Sequence, residues 1–200
     1  MVTALQGVKM MQPNGENNGD EVAEGPLADQ THLRVLDIRE RRPVGHEMHA
    51  LTEPGLHIVR ARVHSSSTHE IGDHLEVSSD GIGPISIVRF RDLTNQANNS
   101  LLDSVKESIT ENPDEHLSFF NRAQNLSLKM HAFQLLPGVG KSTAQSWVQI
   151  RGANGWVDLD EVSKGLGVDA ITLLAERYVK ELENPAEVPS LLELLVRSEK

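Results

Sequence analysis

The residue with the clearest chemical opportunity in this 200-residue chain is Lys141. It ends the run Leu-Leu-Pro-Gly-Val-Gly-Lys at residues 135–141. An apolar segment enters that run from Leu128, and a second helical pattern leaves it through Ala144, Trp147, Val148 and Arg151. Pro137 has no N–H to donate and ends the first helix. Gly138 and Gly140 let the backbone turn tightly and come close to a partner. Lys141 opens the next helix, whose free first-turn N–H groups suit a phosphate oxygen.

Two short helices joined by apolar-Pro-Gly-apolar-Gly resemble the helix-hairpin-helix motif, which grips a nucleic-acid backbone without reading bases. The resemblance implies phosphate contacts from the amides of Gly138, Gly140 and Lys141 within residues 137–142, with Val139 and Ser142 completing the loop. In some relatives of the motif the loop carbonyls hold a monovalent cation; no other cofactor or metal is expected. The run Gly140 to Thr143 spells the end of a P-loop, but position 135 is leucine where that loop requires glycine. A tight turn that merely packs, or that docks a protein, stays open as a reading, because Pro/Gly turns are common.

The formal net charge is −10, unexpected for a nucleic-acid binder, but it is unevenly spread. Residues 1–30 carry −4, residues 31–92 carry −1 and residues 93–200 carry −5. Within the last part, residues 116–157 contain Arg122, Lys129, Lys141 and Arg151 and no acid. Screening acts over about 8–10 Å, so this local field matters more to a phosphate than distant charge. Weak, salt-sensitive binding is the expectation. There is no cysteine, which excludes disulfides and thiolate metal sites. No apolar run approaches bilayer length and no signal pattern opens the chain, so a cytoplasmic protein away from membranes is expected.

The elements needed to hold the hairpin read as follows. Residues 1–29 are rich in Asn, Gly and Glu and predict a disordered acidic tail. Residues 30–92 predict β-structure: strands over 32–39, 56–63, 75–78 and 85–90, with a fifth near 48–52, separated by glycine turns. A small five-stranded OB-like barrel is the expected form. Eight arginines in this segment, from Arg34 to Arg91, could extend a nucleic-acid footprint, although Phe90 is the one aromatic residue for stacking. His64, His69 and His74, beside Glu70 and Asp73, raise the question of a metal site, but their spacing fits neither one strand face nor one helix face. Solvated loop histidines are the plainer reading.

Residues 93–183 switch to helical period. Leu101, Leu102, Val105 and Ile109 form one face, and Asn112-Pro113 starts a second helix. Ser127 is a predicted cap for a third helix leading into the hairpin. Asp158 and Asp169 cap two more, flanking Gly165-Leu166-Gly167, which resembles a second, worn hairpin. Trp147, Trp156 and Tyr178 read as core. Residues 184–200 form a tail whose apolar residues 191–196 could dock back. The fold class is therefore α+β, a small OB-like β-barrel followed by an α-helical helix-hairpin-helix unit.

Asp92-Leu-Thr94 with Ala97, then Phe119-Phe-Asn121-Arg-Ala123, His131 and the 135–141 run follow one another closely. Together they resemble the archaeal domain-of-unknown-function family 655, most strongly from Asp92 to Lys141. That resemblance implies a nucleic-acid-binding protein with an OB-like barrel and helix-hairpin-helix elements. Neighbouring genes in the family favour RNA over DNA, and ribosomal or transcription proteins as further partners. Members carry a second lysine where this chain has Ser142, and they are more basic. A non-enzymatic RNA-binding protein is the resulting expectation. A protein-interaction module in a translation or transcription assembly is the alternative. A nuclease would need clustered acids or histidines, which the helical half lacks.

Overall fold

The computed structural model describes residues 25–198 apart from residue 67. The fold is α+β, an open antiparallel sheet of five strands with helices packed on one face. In chain order the strands are β1 (His32–Glu40), β2 (His46–Glu53), β3 (Ile58–Val63), β4 (His74–Glu76) and β5 (Ser86–Ile87), arranged β4-β1-β2-β3-β5. A bulge lies between Val35 and Asp37. It lets β1 serve both faces: Leu33 and Val35 pack on one with Met48, Ala50 and Val59, while Leu36 turns to the other with Leu51 and Ile58.

The expected barrel does not close. β4 and β5 are the two edges and do not pair with each other among the described residues. They are three and two residues long, too short to form a seam. The backbone just ahead of β5 is also occupied: Gly83 N–H bonds to Arg62 O at 2.8 Å, and Ile82 bridges Val63.

The disordered tail predicted over 1–29 falls mostly outside the described residues. From residue 25 onward the chain belongs to the fold. Leu27 packs on the sheet core, and Gln30 Oε1 accepts from Thr52 Oγ1 and Gly55 N–H, both at 2.8 Å.

Helix α1 (Asn95–Glu111) is capped by Thr94, whose Oγ1 accepts the Ala97 N–H. Its buried stripe Leu101, Val105 and Ile109 faces the sheet and helix α5 (Ala170–Glu183). Each such leucine or isoleucine contributes about 1.5–3 kcal/mol of burial. Helix α2 (Pro113–Arg122) begins on its proline, and α4 (Leu159–Leu166) and α5 are capped by Asp158 and Asp169 as the sequence predicts. Trp147, Trp156 and Tyr178 are core.

The predicted helix after Ser127 is replaced by a small ribbon. β6 (Asn125–Ser127) and β7 (Met130–His131) pair, and one 3-10 turn (Ala132–Leu135) follows. Leu126 and Leu128 have no core to face and are exposed. The residues that bury are Ala132, Phe133 and Leu135, the span of a single turn. Helix α3 (Lys141–Arg151) then leaves the hairpin.

The C-terminal segment docks back. The buried Glu181 carboxylate accepts Ser190 Oγ–H and the N–H groups of Leu191 and Leu192 ahead of a π turn (Leu192–Val196). Arg197 then donates to the carbonyls of Gly55 and Leu56 at 2.8 and 3.0 Å. No helix among the described residues is long and apolar enough to cross a membrane.

Candidate nucleic-acid interface

The hairpin loop hangs on two apolar pegs. Leu136 and Val139 are buried, and the Val139 N–H bonds to Leu136 O. Between them Gly138 sits at φ +73°, a conformation side chains resist. A Cβ added at Gly138 or Gly140 would meet nothing within 4 Å, so both lie against open space. Gly140 is the N-cap of α3 and has no capping side chain. The Ala144 N–H closes the first turn on Gly140 O, and Lys141 and Ser142 are exposed beside it. A helix start left open at the surface presents a partial positive charge.

Lys141 also lines a groove of about 870 Å³ between α3 and the β6–β7 ribbon, together with Lys129 and Arg151. No carboxylate of the described residues lines it. Neither lysine is in an ion pair among the described residues.

The nine predicted site residues do not all converge. Pro137, Gly138, Val139, Gly140, Lys141 and Ser142 form the loop and helix start; Lys129 faces Lys141 across the groove. Arg151 is there too, but it is already engaged. Its Nη1 donates to Phe120 O and Ala123 O at 3.1 and 2.7 Å, satisfying carbonyls at the end of α2, and its guanidinium lies 5.7 Å from the Phe133 ring centre. Arg122 lines a separate cleft with Leu191 and Leu194. On the far side of the loop, Arg177 and Lys180 are both held by Glu187.

His131 and Asn121, singled out by motif, have local structural partners. His131 Nδ1 accepts the Phe133 N–H, while Gln134 accepts the His131 N–H, a capping box on the 3-10 turn. Burial, with Arg151 nearby, pushes the imidazole below its usual pKa. Asn121 clamps the backbone of Trp156 with two 2.8 Å bonds. Gly155 must be glycine beside it: φ is +69°, and a Cβ would fall 2.6 Å from Asn121 Oδ1.

Four of the eight arginines of residues 31–92 are paired internally. Arg34, buried, donates to Glu53 at 3.1 Å, Glu107 at 3.0 Å and Glu111 at 2.8 Å. Arg39 and Arg41 both clamp Glu47, and the Arg39 hydrogen bond holds that carboxyl below its ordinary range. Arg89 pairs with Asp92. Arg60 and Arg62 remain exposed on β3, and Arg60 lies across from His49, a buried histidine whose Nδ1 has no hydrogen-bond partner and whose pKa is lowered by burial.

The histidine series disperses. His64 bonds to Ser66, while His74 Nε2 lies 2.7 Å from Glu53. Glu53, His74 and Glu111 bring ligand atoms within 4.8 Å of one another. Arg34 already occupies both carboxylates there, so a cation would have to displace a guanidinium. Sequence reasoning missed this cluster because its members lie 19 to 77 residues from Arg34; no local pattern links them.

The chain matches the family described as "Protein of unknown function (DUF655)" over residues 32–190 and belongs to it. The archaeal protein Af1531 from Archaeoglobus fulgidus, of the same family, has a similar structure. The TM-score is 0.74 at 20% identity, covering 82% of this chain and 99% of that one. At that identity the likeness speaks for the fold. "Uncharacterized protein MJ0038" from Methanocaldococcus jannaschii is 24% identical over 98 residues, 49% of this chain and 45% of that protein. This chain therefore matches less than half the length of that curated relative.

Proposed function

We propose that this protein binds nucleic acid, RNA in preference to DNA, by holding the phosphate backbone against residues 138–142, and that it does so without catalysing a reaction. The observation that carries the reading is the uncapped start of α3 beside Lys141 and Lys129, in a groove lined by no carboxylate. The N–H groups and the two lysines meet a phosphate as partial and full positive charges. In this reading residues 132–151 act as a shortened helix-hairpin-helix, its first helix reduced to a 3-10 turn. The sheet is an OB-like form opened between β4 and β5, and Arg60 and Arg62 extend the footprint.

The test is fluorescence anisotropy with labelled single-stranded RNA, duplex RNA and duplex DNA across a salt series, wild type beside Lys141→Glu. The expected result is a linear fall of log affinity with log salt, and a slope shallower by about one in the variant. Absence of binding to every probe at low salt would overturn the reading and turn the search to a protein partner.

A further inference from the structure

A backbone grip needs cations and amides of the main chain. The groove beside Lys141 holds more than that. On α3, Lys141, Gln145, Val148 and Gln149 follow at helical spacing and share the wall facing the ribbon. Gln145 and Gln149 are exposed, and no partner of theirs is found among the described residues. Val148 and Met130 supply apolar surface between these amides and the ribbon. A paired duplex stacks its base faces away from solvent, and the apolar part of such a floor would find no base face there. Unpaired bases offer both a hydrogen-bonding edge and an apolar face.

The opposite wall ends in Leu128. This side chain is fully exposed, sits at the turn between β6 and β7, and also lines the groove. The ribbon that carries it is anchored. Asn125 pairs with His131, the Ala132 N–H bonds to Gln124 O at 2.9 Å, and Met130 packs against the main core. An apolar tip on a fixed ribbon, next to Lys129, can press on a base face while the lysine holds its phosphate. Apolar side chains that enter base steps act in this way.

We infer that the groove takes an unpaired stretch of RNA, with Leu128 packed on a base, Gln145 and Gln149 on base edges, and Lys129 and Lys141 on the flanking phosphates. This rests on the nucleic-acid reading above and narrows it to a substrate class, RNA with an unpaired segment. The absence of carboxylates from the groove argues for an anionic occupant.

Three RNA probes test it: a single strand, a blunt duplex, and that duplex with an unpaired tail, with 2-aminopurine placed in the unpaired part. Both probes with unpaired bases should bind about tenfold more tightly than the blunt duplex, the scale of one stacked base, and 2-aminopurine fluorescence should change on binding. Leu128→Ser should erase most of that preference while leaving duplex affinity and thermal melting unchanged. A Gln145→Ala/Gln149→Ala variant should weaken unpaired probes alone. Equal affinity for all three probes, with Lys141→Glu still weakening it and making its salt slope shallower, would overturn this inference and leave the backbone grip standing. A preference untouched by Leu128→Ser would overturn the role of the ribbon tip. No binding to any probe would overturn both readings together.

Discussion

Around Arg34 the cation faces three carboxylates, whereas in the groove beside Lys141 no carboxylate lines the walls. The two regions use the same charge differently. Arg34 sits between β1, β2 and α1 and fastens the sheet to the helix. The Lys141 and Lys129 side chains are in no ion pair among the described residues. Among the described residues of a protein of net −10, positive charge is thus divided into a share paired within the fold and a share that lines the groove without an ion pair. Arg151 lies on the boundary, in the groove by position and in the fold by its bonds.

The comparison can be broken or sharpened by substitution. The largest effect is expected at Arg34. Arg34→Met leaves Glu53 buried without its main partner and should cost about 3–5 kcal/mol in urea unfolding; Glu53→Gln in the same chain should recover part of it. A loss under 1 kcal/mol, on the scale of an exposed pair, would break the distinction.

Next comes pH. Burial holds His116 at about 4, against 6.5 for a free imidazole, with Nδ1 lying 3.0 Å from the Tyr178 hydroxyl. As pH falls below 6.5 the unfolded chain takes up the proton first, and the folded chain stays neutral until about 4. Stability should therefore fall across that window, by about 3 kcal/mol at its acid end. His116→Gln should flatten much of the slope in urea midpoints measured between pH 7 and 4. Part should remain, because burial, with Arg197 nearby, also holds His57 at about 4.

Arg151→Met should cost about 1–2 kcal/mol, since it strips two carbonyls of their donor, and should reduce RNA affinity less than Lys141→Glu does. The smallest effect on folding is expected from Lys141→Glu itself, a melting change equivalent to less than about 0.5 kcal/mol. If Lys141→Glu unfolds the protein, the groove lysine is structural and the contrast fails.

Much of the frame was legible in the sequence because local chemistry decides it. The apolar patterns of β1 and β3, Pro113 opening α2, and Asp158 and Asp169 capping their helices need no distant partner. The segment after Ser127 misled, because a serine ahead of leucines reads as a helix start, while nothing nearby reveals that Leu126 and Leu128 lack a core. Arg151 reads as free charge in the sequence because the carbonyls that hold it lie 28 and 31 residues earlier. Arg34 was assigned to a surface for the same reason. Closure of the sheet was over-read because β4 and β5 are shorter than their apolar runs.

The bond from Arg197 to the turn after β2 joins residues 142 apart in sequence. A ribosome delivers them in that order, so the Gly55 and Leu56 carbonyls emerge long before the guanidinium that will bind them. The β2–β3 hairpin waits for this partner at its turn until residue 197 has been made. A fusion, cut or label placed close to residue 197 would therefore be felt at the turn after β2, a strand turn made early and finished late.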